Sequence, residues 1–141
     1  MPHATYQNLP GRVGDCLKPA SLATTATVPV SPTSSLVFTT GHVGLDLETG
    51  TLVHDTPEAE FKAIFTCLDA ALKHAGVRTG LAGAYRVVAY LVHVEDEKVM
   101  HEVFRSMAPG HTPTWCTVLV KAINVKETRA EIAAEGVVFH E

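Results

Sequence analysis

The 141-residue sequence lacks several features that would assign it directly to a class of protein. No apolar run approaches the roughly 18 residues that cross a bilayer, so we expect no association with a membrane. Lysine and arginine number 11 against 15 aspartates and glutamates, and the net charge of −4 leaves no basic face for nucleic acid. The first residues also lack the charged and apolar regions of a secretory signal. These absences predict a cytoplasmic protein.

Cysteine is scarce as well. Cys16, Cys67 and Cys116 are odd in number and far apart, with no CxxC pair, a pattern typical of a reduced protein rather than a disulfide framework. The sequence contains no HExxH, HxH or Cys/His cluster, and no GxGxxG, Walker or GxSxG motif. We therefore expect no metal ion, no cofactor and no serine-hydrolase mechanism.

The residues that are present predict a globular protein. With 46% hydrophobic and 18% charged residues, the chain is expected to form a single domain over residues 1–141. Residues 1–33 are rich in proline, glycine, serine and threonine, which predicts a mostly irregular segment with a short strand near Ala23–Val28. A strand is predicted over residues 35–40. Turn chemistry over residues 46–51 then predicts a hairpin-like excursion.

The clearest predicted element is a helix that begins after Thr56 and ends at Gly76. Thr56 can cap it, Pro57 suits the first helical position, and glycine is typical just past a helix C-terminus. Between these limits, apolar residues recur at three- and four-residue spacing. They are Phe61, Ile64, Phe65, Leu68, Leu72 and Ala75.

The second half of the chain alternates strands with one more helix. Residues 84–94 are apolar at successive positions, which predicts a central strand buried on both faces. A helix is predicted over residues 96–107, and strands over 114–121 and 129–139. This order implies an α+β fold, a mixed sheet with both helices packed on one face. On the last strand two glutamates alternate onto the same face as two apolar residues, which favours a subunit interface with a polar pocket at its edge over a solvated face.

Several segments resemble the Rid family of imine and enamine deaminases, also called the YjgF/YER057c/UK114 family. The matching segments are 36–41 (LVFTTG, similar to the family's LVFTSG), 48–50 (ETG), 68–76, Pro113 of a PAR-like motif and 130–132 (AEI, similar to vEIE). They follow the family's order over roughly residues 36–139. The resemblance implies a chorismate-mutase-like fold and a homotrimer with three pockets between neighbouring subunits.

The chain departs from the family where the family does its chemistry. The family's PAR arginine, which grips the substrate's carboxylate, is matched by Trp115, and the cysteine two residues later by Thr117. The serine before the motif glycine is Thr40, the glutamine after it is His42, and the asparagine early in the second helix is His101. The family's N-terminal GPYSQ motif has no counterpart.

Glu131 and His101 are the two catalytic candidates. The resemblance implies that Glu131 orients or deprotonates a water that attacks a C=N carbon, and a partly desolvated carboxylate suits proton transfer. The alternative for Glu131 is a solvated strand residue or one paired with Arg129 or Lys121. His101 matches a residue that lines the family's pocket, and an imidazole titrates near neutral pH.

The predicted substrate-binding residues surround this pair. Trp115 either walls a pocket and stacks on a planar ligand, or fills the vacated space as a core or interface aromatic. Because strand residues alternate, we expect Cys116 to face the helices. The remaining members of the set are Thr117, Thr40, Gly41 and His42. The threonines could equally be ordinary strand residues, and His42 a turn residue.

The leading hypothesis is an enzyme that acts on a small carbonyl, enamine or imine compound in a pocket between subunits. An indole cannot pair a carboxylate bidentately, so 2-imino acids are expected to be poor substrates. One alternative is a non-catalytic trimeric binder of small molecules. Another is the endoribonuclease or translation-inhibitor role described for some members of the family, against which the acidic net charge counts.

Overall fold

A computed structural model, which describes residues 3–140, has one six-stranded sheet and three α-helices. The strands are β1 Thr5–Gln7, β2 Thr25–Ser31, β3 Ser34–Thr39, β4 Ala84–Leu91, β5 Thr114–Leu119 and β6 Ala130–Phe139, and the helices are α1 Arg12–Leu17, α2 Pro57–His74 and α3 Asp96–Met107. Across the sheet the order is β1-β2-β3-β6-β4-β5. The β4–β5 pair is parallel and the other pairs are antiparallel, so the sheet is mixed, as predicted.

The long helix α2 has the limits that its sequence predicts. The Thr56 side chain accepts a hydrogen bond of 3.1 Å from the backbone N–H of Ala59, and Pro57 occupies the first helical position. After the helix, Gly76 takes a φ of 105°, a conformation that side chains disfavour. Cap, proline and glycine therefore all act as expected.

Helices α2 and α3 pack together on one side of the sheet, called here the helix face. Alternate residues of the central strands point into this layer and are fully buried, among them Val87, Ala89 and Ile132. They meet the apolar stripes of the two helices, where Phe65 and Phe104 form an edge-on ring pair 5.4 Å apart. This layer contains the hydrophobic core, and its position confirms the predicted architecture.

The opposite side of the sheet, called here the open face, carries the intervening residues. On β4 these are Arg86, Val88 and Tyr90, and the Tyr90 side chain is 38% exposed. The prediction that this strand is buried on both faces is therefore wrong for the single chain. Val88 and Tyr90 lie on the side of the sheet opposite helices α2 and α3.

Residues 3–33, the described part of the segment predicted to be mostly irregular, contain more regular structure than predicted. Strands β1 and β2 extend the sheet beyond β3, with Thr27 opposite Val37, and α1 lies between them. The short strand expected near Ala23–Val28 is present, shifted to Thr25–Ser31. The strand tolerates Pro29 at a register shift close to its end, where the ladder is already interrupted. Pairing with β3, rather than an amphipathic pattern of its own, orders this segment.

The hairpin-like excursion after β3 is also present. The Asp46 N–H donates to the Thr51 carbonyl at 2.9 Å, Gly50 has a φ of 73°, and a bridge joins Leu45 to Leu52. Across the described chain, no helix is both long and apolar enough to span a membrane.

Candidate functional site

Glu131 lies on the open face at the beginning of β6. Strand register places it directly opposite Tyr90 on β4, and its side chain is half-buried. A Cβ atom added to Gly41 would lie 2.7 Å from its Oε2 atom, so the carboxylate packs against the bare backbone of Gly41. Gly41, one of the predicted substrate-binding residues, is thus in close contact with Glu131, and any side chain at position 41 would disturb this contact.

A shallow cavity of about 280 Å³ opens beside this carboxylate. Its lining consists of Tyr90, Val120, Ala122, Ile123, Asn124 and Glu131. Four of these residues come from the connection between β5 and β6. Sequence analysis missed Tyr90 and Asn124 as site residues, although the alternation of β4 and the register of an antiparallel neighbour place Tyr90 beside Glu131. The cavity combines a carboxylate, a phenol and an amide over apolar walls.

His101, Trp115 and Thr117 form a second cluster, on the helix face. The Trp115 Nε1–H donates to the Thr117 hydroxyl oxygen at 3.0 Å. Its indole stacks at a tilt on the His101 ring, with centroids 4.7 Å apart, and packs edge-on against Phe104 at 5.0 Å. The structure therefore brings three of the predicted site residues together.

The faces of β5 are opposite to those predicted. Trp115 pairs with the buried Val87 and joins the hydrophobic core, whereas Cys116 pairs with Val88 and is exposed. The expectation that Cys116 faces the helices is wrong. Of the two interpretations of Trp115, the packing supports a core aromatic at the edge of the helix layer.

The two catalytic candidates consequently lie on opposite sides of the sheet. Glu131 faces the open side with Tyr90, and His101 projects from α3 over Trp115 on the helix side. A single chain does not bring them into one site.

Thr40 and His42 lie outside the lining of the Glu131 cavity. The Thr40 carbonyl accepts hydrogen bonds from the Thr39 hydroxyl at 2.8 Å and from His42 Nδ1–H at 3.1 Å. Thr40 borders a separate depression of about 500 Å³ near Tyr6 and Phe38. The position of Thr40 therefore does not support a role for it in binding a ligand beside Glu131.

His42 is buried and forms a bridge to Ile132 on β6, rather than the turn considered as its alternative role. Its backbone exchanges two hydrogen bonds with Ile132, of 2.8 and 3.0 Å, and its side chain is 2% exposed. Burial lowers the pKa of His42 from its ordinary value, against a smaller opposing effect of the hydrogen bond to Thr40. Among residues 3–140, no group forms a hydrogen bond with its Nε2 atom.

A buried ionic cluster joins both helices to the start of β6. The fully buried Glu60 carboxylate accepts from the Arg129 backbone N–H at 2.8 Å and from Arg129 Nε at 3.1 Å. Arg129 Nη1 reaches Asp96 Oδ2 at 3.3 Å. Arg129 is therefore engaged on the helix side and is not a partner of Glu131, which excludes one of the pairings considered above. In the described part of the chain, no group of three histidine, cysteine or acidic side chains is arranged to hold a metal ion.

Residues 19–138 match the family model described as Endoribonuclease L-PSP. The chain belongs to this family. A comparison of the L-PSP chain with curated proteins finds no match.

Solved structures extend the comparison to the whole fold. Rv2704 of Mycobacterium tuberculosis, a member of the YjgF/YER057c/UK114 family, is 18% identical over 96% of this L-PSP chain and 99% of its own, with a TM-score of 0.73. A probable translation initiation inhibitor from Rhodopseudomonas palustris is 25% identical over 84% of this chain and 86% of its own, with a TM-score of 0.72. TdcF of E. coli, solved with bound serine, is 18% identical over 82% and 87%, with a TM-score of 0.68. The resemblance inferred from short motifs is confirmed.

Proposed function

We propose that this L-PSP family protein is an enzyme for a small imine, enamine or carbonyl compound, with Glu131 as its acid–base group. The observation that carries the proposal is the half-buried Glu131 carboxylate, held against Gly41 at the mouth of a cavity shared with Tyr90 and Asn124. Within residues 3–140 it forms no ion pair. A carboxylate free of a fixed counter-ion can accept a proton and return it within one reaction cycle.

The chemistry proposed is hydrolysis of a C=N bond. Glu131 accepts a proton from a water molecule as the water oxygen bonds to the C=N carbon and the C=N π bond breaks. Glu131 then returns this proton to the nitrogen. The resulting carbinolamine collapses, so that R₂C=NH and H₂O yield R₂C=O and NH₃. Tyr90 and Asn124 supply a hydroxyl and an amide that can orient the water or the nitrogen.

We further propose a homotrimer in which each site is completed by two copies. One copy contributes Glu131 from its open face, and its neighbour contributes His101, which stacks on the core residue Trp115. Large apolar side chains that a single chain leaves exposed on the open face support this assembly: Tyr90 and Val118 at 38% and Phe139 at 78%. The serine in the structure of TdcF supports small-molecule binding in proteins of this fold.

Glu131→Gln tests the proposed role of the carboxylate. The substitution keeps the size of the side chain and removes its basicity, so imine turnover, measured as ammonia release, should fall by about 100-fold or more while ligand binding persists. Glu135→Gln is the matched control, because Glu135 lies on the same face of β6 outside the cavity lining. If Glu131→Gln and the unmodified protein release ammonia at the same rate, Glu131 is not the catalytic group, as expected for a non-catalytic binder.

A further inference from the structure

The charge of the Glu131 cavity differs from that of a site built for an acidic ligand. Its lining contains one carboxylate, from Glu131, with the neutral polar groups of Tyr90 and Asn124. No arginine, lysine or histidine is among the described residues that line it. A ligand in this cavity therefore meets a negative charge with no lining cation to offset it.

The arginines beside β6 and on β4 do not line the cavity. Arg129 begins the segment that leads to Glu131, but its guanidinium is held by Glu60 and Asp96 in the helix layer. Arg86 shares the open face but stands opposite Glu135, four residues before Tyr90, which is about 13 Å along an extended strand.

Lys121 is also excluded by the local geometry. It lies between Val120 and Ala122, which both line the cavity, yet it is exposed and absent from the lining. The backbone thus presents two apolar side chains to the ligand and leaves the intervening ammonium group in solvent.

We infer that the site takes a small imine that carries no carboxylate and whose nitrogen is protonated. This inference rests on the proposed function and specifies its substrate class. An iminium ion places its positive charge near Glu131, whereas a carboxylate in the same place meets a like charge in a half-buried environment. The reaction balances as R₂C=NH₂⁺ + H₂O → R₂C=O + NH₄⁺, with the water oxygen retained in the product and the C–N bond broken.

The part of the site that the Glu131 copy supplies is small and apolar. A volume of about 280 Å³ is at or below the lower end of small-molecule pockets. The apolar walls formed by Val120, Ala122 and Ile123 suit a short alkyl chain rather than a polar one. Four-carbon imines are therefore suitable probes.

Two imines that differ in one carboxylate test the inference. Butan-1-imine is generated in place from butylamine by a flavin amine oxidase, and 2-iminobutyrate from 2-aminobutyrate by an L-amino acid oxidase. Ammonia release above the spontaneous rate is measured with the protein and with Glu131→Gln. We expect kcat/KM for butan-1-imine to exceed that for 2-iminobutyrate by about 100-fold. Equal or greater efficiency with 2-iminobutyrate would overturn the inference and leave the proposed enzyme intact, whereas no acceleration of either imine contradicts both.

Three substitutions sharpen this comparison. Asn124→Arg places a guanidinium at the cavity and should shift preference toward 2-iminobutyrate. Lys121→Arg places a guanidinium on the same connection but outside the cavity lining, and should keep the original preference. Arg105 lies one helical turn beyond His101 and is exposed. If 2-iminobutyrate is preferred and Arg105→Gln removes that preference, the carboxylate is bound by the second half of the site and the inference is wrong.

Discussion

The imidazole of His42 is buried, and burial disfavours its protonated, charged form. Burial lowers the pKa of His42 below its ordinary value of 6.5, because the protonated ring loses its hydration. The unfolded chain therefore binds this proton more readily than the folded chain at pH values just below 6.5. Stability rises with pH wherever the unfolded state binds more protons. The contribution of neutral His42 to stability is therefore complete above pH 6.5, and it is lost as the pH falls from 6.5 toward the lower pKa of the folded protein.

The free energy of unfolding should therefore depend on pH through His42. Between pH 7.5 and 5.5, the stability lost by the unmodified protein should exceed that lost by His42→Gln by roughly 1 kcal/mol. Urea unfolding at the two pH values measures the difference, and His74→Gln, at an exposed helix position, serves as the control. Equal losses in the unmodified protein and His42→Gln would show that His42 is not responsible.

At the scale of elements, the ionic cluster of Glu60, Arg129 and Asp96 fixes the start of β6 to both helices. Removal of one member leaves an uncompensated charge in a buried place, which is far more costly than loss of a solvated pair. Gly44 packs on the same glutamate, since a Cβ atom there would lie 3.0 Å from Glu60 Cγ. Glu60 thus contacts both β6, which carries Glu131, and the segment that follows Gly41.

Glu60→Ala should therefore reduce the free energy of unfolding by about 3–5 kcal/mol. Lys98→Ala, which removes an exposed pair with Glu102 at 3.9 Å on α3, should change it little. Urea unfolding at neutral pH distinguishes the two. A similar small loss for both variants would mean that the cluster is not essential to the connection.

An element could be predicted where several independent sequence signals agree, and could not where only one signal is present. Helix α2 is specified by its cap, its apolar spacing and Gly76, and its limits agree with the sequence. Strand β5 alternates Trp115 with Cys116 and has apolar or small side chains on both faces. Periodicity therefore separates its residues into two faces but does not show which face packs against the helices. A shift of one residue exchanges the two sets between the faces of the sheet. Matching Pro113 to the family motif placed Cys116 on the helix face, where Trp115 lies instead.

At the scale of the whole molecule, the order of strands and helices was sufficient for the fold, because βα crossovers and helix layers allow few arrangements. The site was harder to predict from the sequence. Glu131 and His101 were predicted to act together, and their separation by the sheet depends on three-dimensional packing that the sequence pattern does not encode. Tyr90 and Asn124 join Glu131 through strand register and through the path of one connection, neither of which leaves a motif.

The central claim is that Glu131 of one copy acts with His101 of another. Co-expression of Glu131→Gln and His101→Gln in equal amounts, followed by ammonia release from butan-1-imine, tests it most directly. Each variant alone should be inactive. When equal amounts of the two variants assemble at random, about a quarter of all sites pair an intact Glu131 with an intact His101, so activity should recover to about a quarter of that of the unmodified protein. Full activity of His101→Gln alone, or no recovery in mixed trimers of confirmed mass, would contradict the composite site.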